Sequence, residues 1–330
     1  MNPKPALASQ RDVQRLPRVA LLLFCAAYVL PGIFQRDPWK NADVTAFGAM
    51  LSIAEGRSPW LAPSLGGIAL DAAPLPYGLG ALSILGLGPW FGVELAARLP
   101  FALLLALVLV LTWYAAYHLA RTEAAQPVPF AFGGEANPVD YARALADGAL
   151  LALIATLGML QLGHETTPEL AQLASVSLFL YAMAAAPFRA AQPRLAMVLA
   201  LPALAASGAP VIALGLGLAG TLICRSSSYA EVRRFAVVVA ASTVVACAVA
   251  ATIGAWAWRV GTWGHAAQLL ALGRQVAWFT WPALPLALWT LWRWRSHWNH
   301  RHITVPLGCA GVIIDRKSTR LNSSHEWISR

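Results

Sequence analysis

One uninterrupted apolar run limits the structures that this chain can adopt. Residues 99–120 are 22 consecutive residues without a formal charge, and as a helix they would be about 33 Å long, enough to cross a bilayer. Residues 235–258 repeat the pattern over 24 residues. Hydrophobic residues make up 58% of the chain and charged residues only 12%, far from the composition of a soluble domain. The sequence therefore predicts an all-α, polytopic membrane protein.

Apolar segments recur along the chain and predict about eight transmembrane helices. The segments are 19–34, 99–120, 148–163, 171–187, 195–207, 210–224, 235–258 and 275–292. The fifth and sixth are short for a bilayer. The first lacks a small-residue cleavage motif at its end, so we expect it to be a retained span that follows a cytoplasmic N-terminus, residues 1–16.

The charges of the loops predict an orientation in a bacterial inner membrane. Every second gap between the predicted spans contains arginines: Arg121, Arg143, Arg189, Arg194, Arg225, Arg233, Arg234, Arg293, Arg295 and Arg301. Cytoplasmic loops carry an excess of Lys and Arg, so these gaps are predicted to be cytoplasmic. Counting residues 76–91 as a further span would reverse this bias for every later loop. We therefore expect residues 76–91 to form a helix in the outer interface.

This orientation makes residues 35–98 one large external loop with two interfacial helices. Asp43 is expected to start the first helix, and Gly56 lies just past its end, where a left-handed C-cap is favoured. Apolar residues at helical spacing predict a single buried face of this helix, formed by Val44, Phe47, Met50, Leu51 and Ala54.

Four short motifs, in this order, resemble the beginning of a GT-C glycosyltransferase. They are Trp39-Lys40-Asn41-Ala42-Asp43, Trp60-Leu61-Ala62-Pro63, Pro74-Leu75-Pro76-Tyr77 and Ala96-Ala97-Arg98-Leu99-Pro100. The resemblance is to glycosyltransferase family 39, which includes aminoarabinose–lipid A transferases and protein O-mannosyltransferases, and it covers roughly residues 16–292. It implies a GT-C fold and a polyprenyl-phosphate sugar donor used at the periplasmic face. The implied acceptor is a lipid or glycan.

The resemblance also implies catalytic carboxylates. Asp43 corresponds to the family's catalytic carboxylate in the first external loop, and a carboxylate there can take a proton from the acceptor. A second acidic residue is expected in the segment 164–169, where Glu169 is the natural match and Glu165 the alternative. Some GT-C branches use a divalent metal, and nothing in this sequence requires one.

Cations are needed where negative charge develops on the leaving phosphate. Arg98, at the outer end of the second predicted span, is the first candidate, because a guanidinium matches phosphate oxygens. Lys40 and Arg57 are further candidates. Two lysines common in the family are missing, since residues 71–74 and 207–210 contain none. No nucleotide-binding glycine loop is present, so a nucleotide-sugar donor is not expected.

Other interpretations of these residues stay open. Asp43 before a helix is also a good N-cap, Arg98 could be an interface anchor, and residues 164–169 could be an ordinary polar turn. The whole chain could instead be a non-enzymatic transporter or assembly factor, or an inactive fragment of a transferase. The basic stretch 293–302 is expected to contact the anionic inner leaflet and not nucleic acid.

The C-terminal part divides into two segments. Residues 293–314 form a cytoplasmic basic loop and the start of an interrupted span, since about twelve apolar residues do not cross a bilayer. Residues 315–330 resemble translated sequencing-adapter sequence and are expected to be non-native. The four cysteines fall in or at the ends of apolar segments, without the spacing of a metal or disulfide set: Cys25, Cys224, Cys247 and Cys309.

Overall fold

A computed structural model describes residues 8–13, 16–34, 37–38, 41–256 and 266–324. These residues are mainly helical. The helices are α1 (Arg18–Val29), α2 (Asn41–Ala54), α3 (Pro74–Phe91), α4 (Val93–Ala120), α5 (Pro138–Ile154), α6 (Leu157–Leu162), α7 (Pro168–Ala185), α8 (Ala191–Ala206), α9 (Pro210–Arg225), α10 (Ala230–Thr252), α11 (Ala266–Thr280), α12 (Ala283–Arg293) and α13 (Arg301–Ser324). A short antiparallel hairpin, β1 (Ser64–Leu65) and β2 (Ile68–Ala69), lies between α2 and α3.

Three of the described helices are long and apolar enough to cross a membrane: α4, α7 and α10. Shorter apolar helices are found at Arg18–Gly32, Ala191–Ala206, Pro210–Arg225 and Arg301–Ile314. The prediction of an all-α protein is confirmed, and the three long helices indicate a membrane protein. The predicted number of about eight spans is not confirmed.

Two predicted spans are interrupted. The segment 148–163 is divided between α5 and α6 at Thr156, whose hydroxyl donates to the carbonyl of Leu153 at 2.7 Å, while the next amide, of Leu157, donates to the carbonyl of Trp281 at 3.1 Å. The segment 275–292 is divided between α11 and α12 at Pro282. Proline has no amide hydrogen to continue a helix. At the two breaks, the amide of Leu157 and the carbonyl of Trp281 therefore bond to each other and not within a continuous helix.

The α2 helix differs from its prediction in its start and in its buried face. It begins at Asn41, so Asp43 is its third residue and not its cap. Its buried side chains follow the stripe Asp43, Ala46, Ala49, Met50, Ser52 and Ile53. Val44, expected on the buried face, is 48% exposed. Gly56 has φ +72°, as the predicted left-handed cap requires.

The reason for the rotated face is the shape of α3. Gly80 on α3 lies against Met50, so closely that an added Cβ would collide with the methionine sulfur. Small residues, Ala46 and Ala49, let the two helices approach. The predicted helix at 76–91 is confirmed as α3, which begins at Pro74. Its location in a membrane interface is not tested.

The polar groups of the bundle define two ends, which we name here. The pocket end contains Asp43, Arg98 and residues 163–167. The basic end contains residues 118–140 and 186–190, together with the turn between α9 and α10 and the turn between α12 and α13. Because α4 runs from Arg98 at the pocket end to Ala120 at the basic end, the two ends are about 33 Å apart.

Contacts between distant segments hold the basic end together. The amide of Gln10 donates to the carbonyl of Gly134 at 3.2 Å, so the N-terminal segment lies on the α4–α5 loop. The His118 ring stacks on Phe188 with ring centroids 5.6 Å apart. Arg301, at the start of α13, donates to the carbonyl of Met183. The loops that were predicted to share the cytoplasmic side therefore share one end of the bundle.

Candidate functional site

A narrow cleft opens at the pocket end, between α1, α4 and the α6–α7 loop. It has about 260 Å³ of space between the atoms, part of it open to solvent. Its lining is apolar along α1 and α4, except for Arg98 of α4, and polar at the α6–α7 loop: Val29, Gly32, Ile33, Arg98, Phe101, Ala102, Leu105, Gly163, His164 and Thr166. The cleft thus joins an apolar wall to a small group of polar side chains, which is the usual composition of a ligand site.

Asp43 is held beside this cleft by Thr166. The carboxylate oxygen Oδ1 accepts two hydrogen bonds from Thr166, one from the backbone amide at 2.8 Å and one from the hydroxyl at 2.7 Å. Asp43 is 2% exposed and Thr166 is 3% exposed. Burial of an ionised carboxylate is costly unless donors face it, and two donors from one residue meet part of that need.

The Asp43–Thr166 pair joins residues that are 123 positions apart in the chain. Asp43 stands in the first turn of α2, and Thr166 in the loop just before α7. The hydrogen bonds therefore explain why Asp43 is an aspartate at a buried position. Its side chain bonds to another element instead of capping its own helix, so the N-cap interpretation does not describe this residue.

Arg98 lies in the second turn of α4 and lines the same cleft as Thr166. It is 6% exposed. A buried arginine keeps its charge at any physiological pH, so it brings a fixed positive charge to the cleft. Asp43 is therefore hydrogen-bonded to a residue, Thr166, that lines the same cleft as Arg98.

Of the two candidates for a second carboxylate, Glu165 is the buried one. It is 3% exposed and immediately precedes Thr166. Glu169 is exposed in the first turn of α7. Its charge acts on Tyr77: burial raises the pKa of Tyr77 to about 12, with smaller contributions from the carboxylates of Asp71 and Glu169. Glu169 is thus close enough to Tyr77, near the start of α3, to affect its pKa. Glu165 instead directly precedes Thr166, the residue that binds Asp43.

Of the two remaining phosphate-binding candidates, the structure describes Arg57, which does not line the cleft. Arg57 lies on the surface after α2, with a side chain 62% exposed, and pairs with Glu55. Such an exposed pair contributes little to stability or binding. Lys40, together with Trp39 of the first motif, lies outside the residues that the structure describes.

His164 closes one side of the cleft against α1. Its ring nitrogens lie 2.8 Å from the carbonyl oxygen of Tyr28 and 3.2 Å from that of Leu160. Gly32 is in contact with the ring, and an added Cβ there would collide with it. This contact positions the end of α1, a helix without buried residues of its own.

The structure adds Thr166 and His164 to the residues found from the sequence. Both belong to the polar segment 164–169, which marked this loop but gave no role to either side chain. Among the described residues, no group of three or more His, Cys, Asp or Glu side chains is placed to hold a metal ion. No protein-family model, curated protein or solved structure matches this chain.

Proposed function

We propose that this chain is the catalytic core of a membrane glycosyltransferase that moves a sugar from a polyprenyl-phosphate donor to an acceptor hydroxyl. One observation carries the proposal. Asp43, the proposed base, is hydrogen-bonded to Thr166, and Thr166 lines a cleft with an apolar wall together with Arg98, the proposed phosphate ligand. Transfer from a lipid-linked donor needs a base for the acceptor hydroxyl, a fixed cation for the leaving phosphate and an apolar surface for the lipid chain.

In the proposed reaction, the two oxygens of the Asp43 carboxylate have different roles. Both hydrogen bonds to Asp43 go to Oδ1, which leaves Oδ2 to take the proton of the acceptor hydroxyl. The acceptor oxygen then bonds to the anomeric carbon as the bond from that carbon to the phosphate oxygen breaks. The sugar inverts its configuration, and the polyprenyl phosphate leaves as an anion. Arg98 stabilises the charge that develops on it.

The size of the cleft has a consequence for this reaction. The roughly 260 Å³ between its atoms includes space that is open to solvent, so the enclosed part of the cleft is small. A sugar and the first isoprene units need more space, so we expect the donor to part α1 from α4. Because α1 has no buried residue, this movement exposes little apolar core.

The proposed orientation puts the basic end in the cytoplasm and the pocket end at the periplasmic face of the inner membrane, with about eight crossings. Support comes from the charges, since the arginines of the predicted cytoplasmic gaps lie at the basic end. Donor, acceptor and surrounding lipid would then meet Asp43 at the outer interface.

A transfer assay tests the proposal. The purified full chain in lipid vesicles is given polyprenyl phosphate carrying either tritiated mannose or tritiated aminoarabinose, with an envelope extract as acceptor. We expect label to leave the polyprenyl-phosphate pool with the wild type. Asp43→Asn, which keeps the shape of the side chain but cannot act as base, should be at least about 100-fold slower.

Two results would overturn the proposal. Equal transfer by Asp43→Asn and the wild type would remove Asp43 as the base. Label that stays on the donor with the wild type, for both sugars, would favour the non-enzymatic alternatives.

A further inference from the structure

We infer that Thr166 is a positioning residue for Asp43, which fixes the carboxylate so that Oδ2 faces the acceptor. The inference rests on the proposed function, because the orientation of the carboxylate matters to a reaction only if Asp43 is its base. It concerns a residue in a loop whose motif predicted carboxylates and no role for a threonine.

The geometry of the contact supports this role. Thr166 uses two donors on one oxygen: its amide is 2.8 Å and its hydroxyl 2.7 Å from Oδ1 of Asp43. One hydrogen bond would leave the carboxylate free to rotate about it. Two donors from the same residue define both the position of Oδ1 and the plane of the group. The direction in which the second oxygen, Oδ2, points is thereby fixed.

The environment strengthens the effect. Both residues are almost fully buried, and hydrogen bonds to a charged group are stronger where water is excluded. Thr166 also lines the cleft, so it is in contact both with the base and with the space for substrate.

The chain offers a matched control in the next residue. Thr167 has the same exposure, 3%, as Thr166. Thr167 is the N-cap residue of α7, but within the part of the chain that the structure describes its hydroxyl has no hydrogen-bond partner and makes no capping bond. Thr→Val changes the same atoms at both positions and keeps both backbone amides. A difference between the two variants therefore measures the hydroxyl bond to Asp43.

The first experiment measures kcat and KM in the transfer assay with four proteins: wild type, Thr166→Val, Thr166→Ser and Thr167→Val. Thr166→Val should lower kcat by about ten-fold, with a smaller change in the KM for the donor, because the base is no longer held in position. Thr166→Ser keeps the hydroxyl and should restore both values, and Thr167→Val should match the wild type.

A second readout does not depend on activity. Dicyclohexylcarbodiimide reacts with a carboxyl group in its protonated form, and mass spectrometry of the peptide that contains Asp43 gives the extent of labelling. At one fixed pH, Thr166→Val should change the extent of labelling of Asp43 by several-fold relative to the wild type, because the Thr166 hydroxyl no longer covers Oδ1. Thr166→Ser and Thr167→Val should label like the wild type.

The two readouts separate the inference from the proposed function. A change in labelling without any transfer activity in the wild type would leave the Thr166 clamp standing and overturn the glycosyltransferase. Normal transfer that is lost in Asp43→Asn, with no change of rate or labelling in Thr166→Val, would overturn the inference alone. Equal effects of Thr166→Val and Thr167→Val would show a general packing role and would also overturn it.

Discussion

The pocket end and the basic end of the bundle hold their polar side chains in different ways. At the pocket end, Asp43, Arg98 and Glu165 are each less than a tenth exposed, and Asp43 is bound by a residue far away in the chain. At the basic end, the Arg121 guanidinium lies over the ring of Phe188, 4.9 Å from its centroid, and Arg121 itself is exposed.

This difference separates two uses of charge. Burying a charged group costs free energy unless fixed donors or acceptors replace water. The basic end largely avoids the cost, because most of its arginines are exposed and Arg121 lies on aromatic faces, while the half-buried Arg301 donates to the carbonyl of Met183. The pocket end accepts the cost, which is common where a group must act on a ligand. Under the proposed function, the pocket end carries the chemistry and the basic end sets the orientation in the membrane.

The largest expected effect concerns the side of the membrane. Ile68→Cys at the pocket end and Phe132→Cys at the basic end put single thiols at exposed positions, in a chain with its own four cysteines replaced. A membrane-impermeant maleimide should label Ile68→Cys in right-side-out vesicles and Phe132→Cys in inverted ones. Labelling of both from one side would show that the two ends do not face opposite compartments.

The next largest effect is expected when an arginine is replaced at each end and the transfer activities are compared. Arg98→Gln removes the fixed cation from the cleft and should lower transfer by about 100-fold. Arg121→Gln at the basic end should change transfer less than about two-fold, since its guanidinium only stacks on rings. Both are measured in the tritium assay after equal folding is checked by gel filtration. Similar losses in the two variants would remove the division of roles.

Glycine substitutions test the contact between α1 and the cleft. Gly32→Ala adds a Cβ that collides with the His164 ring, so the variant should lose about 1–3 kcal/mol of stability and part of its activity. Gly148→Ala, inside α5, meets no atom within 4 Å of the added Cβ and should be neutral or slightly stabilising. Thermal unfolding in detergent gives both values. A tolerated Gly32→Ala would mean that α1 already stands away from the α6–α7 loop.

The buried carboxylate near the basic end should affect stability alone. Asp147 accepts hydrogen bonds from the indole of Trp113 at 2.7 Å and from the amide of Leu16 at 3.3 Å. Asp147→Asn can keep only one of them as an acceptor, which should cost about 1–2 kcal/mol. Unfolding measurements test the loss, and the transfer rate per folded molecule should stay unchanged. A fall in that rate would connect this end to the chemistry.

The smallest effects are expected for exposed ion pairs, one from each end. Arg57 pairs with Glu55, and Arg234 pairs with Glu231 at 3.0 Å. Because all four side chains are well exposed, Arg57→Gln and Arg234→Gln should each change stability by less than about 1 kcal/mol. Neither should alter transfer. A loss of transfer in Arg57→Gln would return Arg57 to the list of phosphate ligands.

The parts of the fold that depend on local composition were predictable. The long helices α4 and α10 follow from uncharged runs, and α3 was expected within two residues of its start. The breaks at Thr156 and Pro282 were not predicted, although a proline inside an apolar segment is a signal for one. At Thr156 the helix ends through a contact between Leu157 and Trp281, which no local pattern reveals.

The candidate site was predictable in its members more than in its geometry. Asp43, Arg98 and Glu165 came from motifs and a family resemblance, and in the structure Asp43 bonds to Thr166, which lines a cleft together with Arg98. Arg57 has the right charge and loop but lies on the surface. Sequence proximity to a site does not specify the direction in which a side chain is buried, because that depends on packing.

The sequence by itself determined that this is an all-α membrane protein and which loops carry its arginines. Both depend on how apolar segments and charged side chains divide between lipid and water, which is a property of local composition. Only the tertiary structure decided which face of α2 is buried, because the answer depends on Gly80 of α3 lying under Met50. It alone also supplied Thr166 as the partner of Asp43, 123 residues away. A hydrogen bond between distant residues is a property of two packed elements and leaves no pattern in either segment.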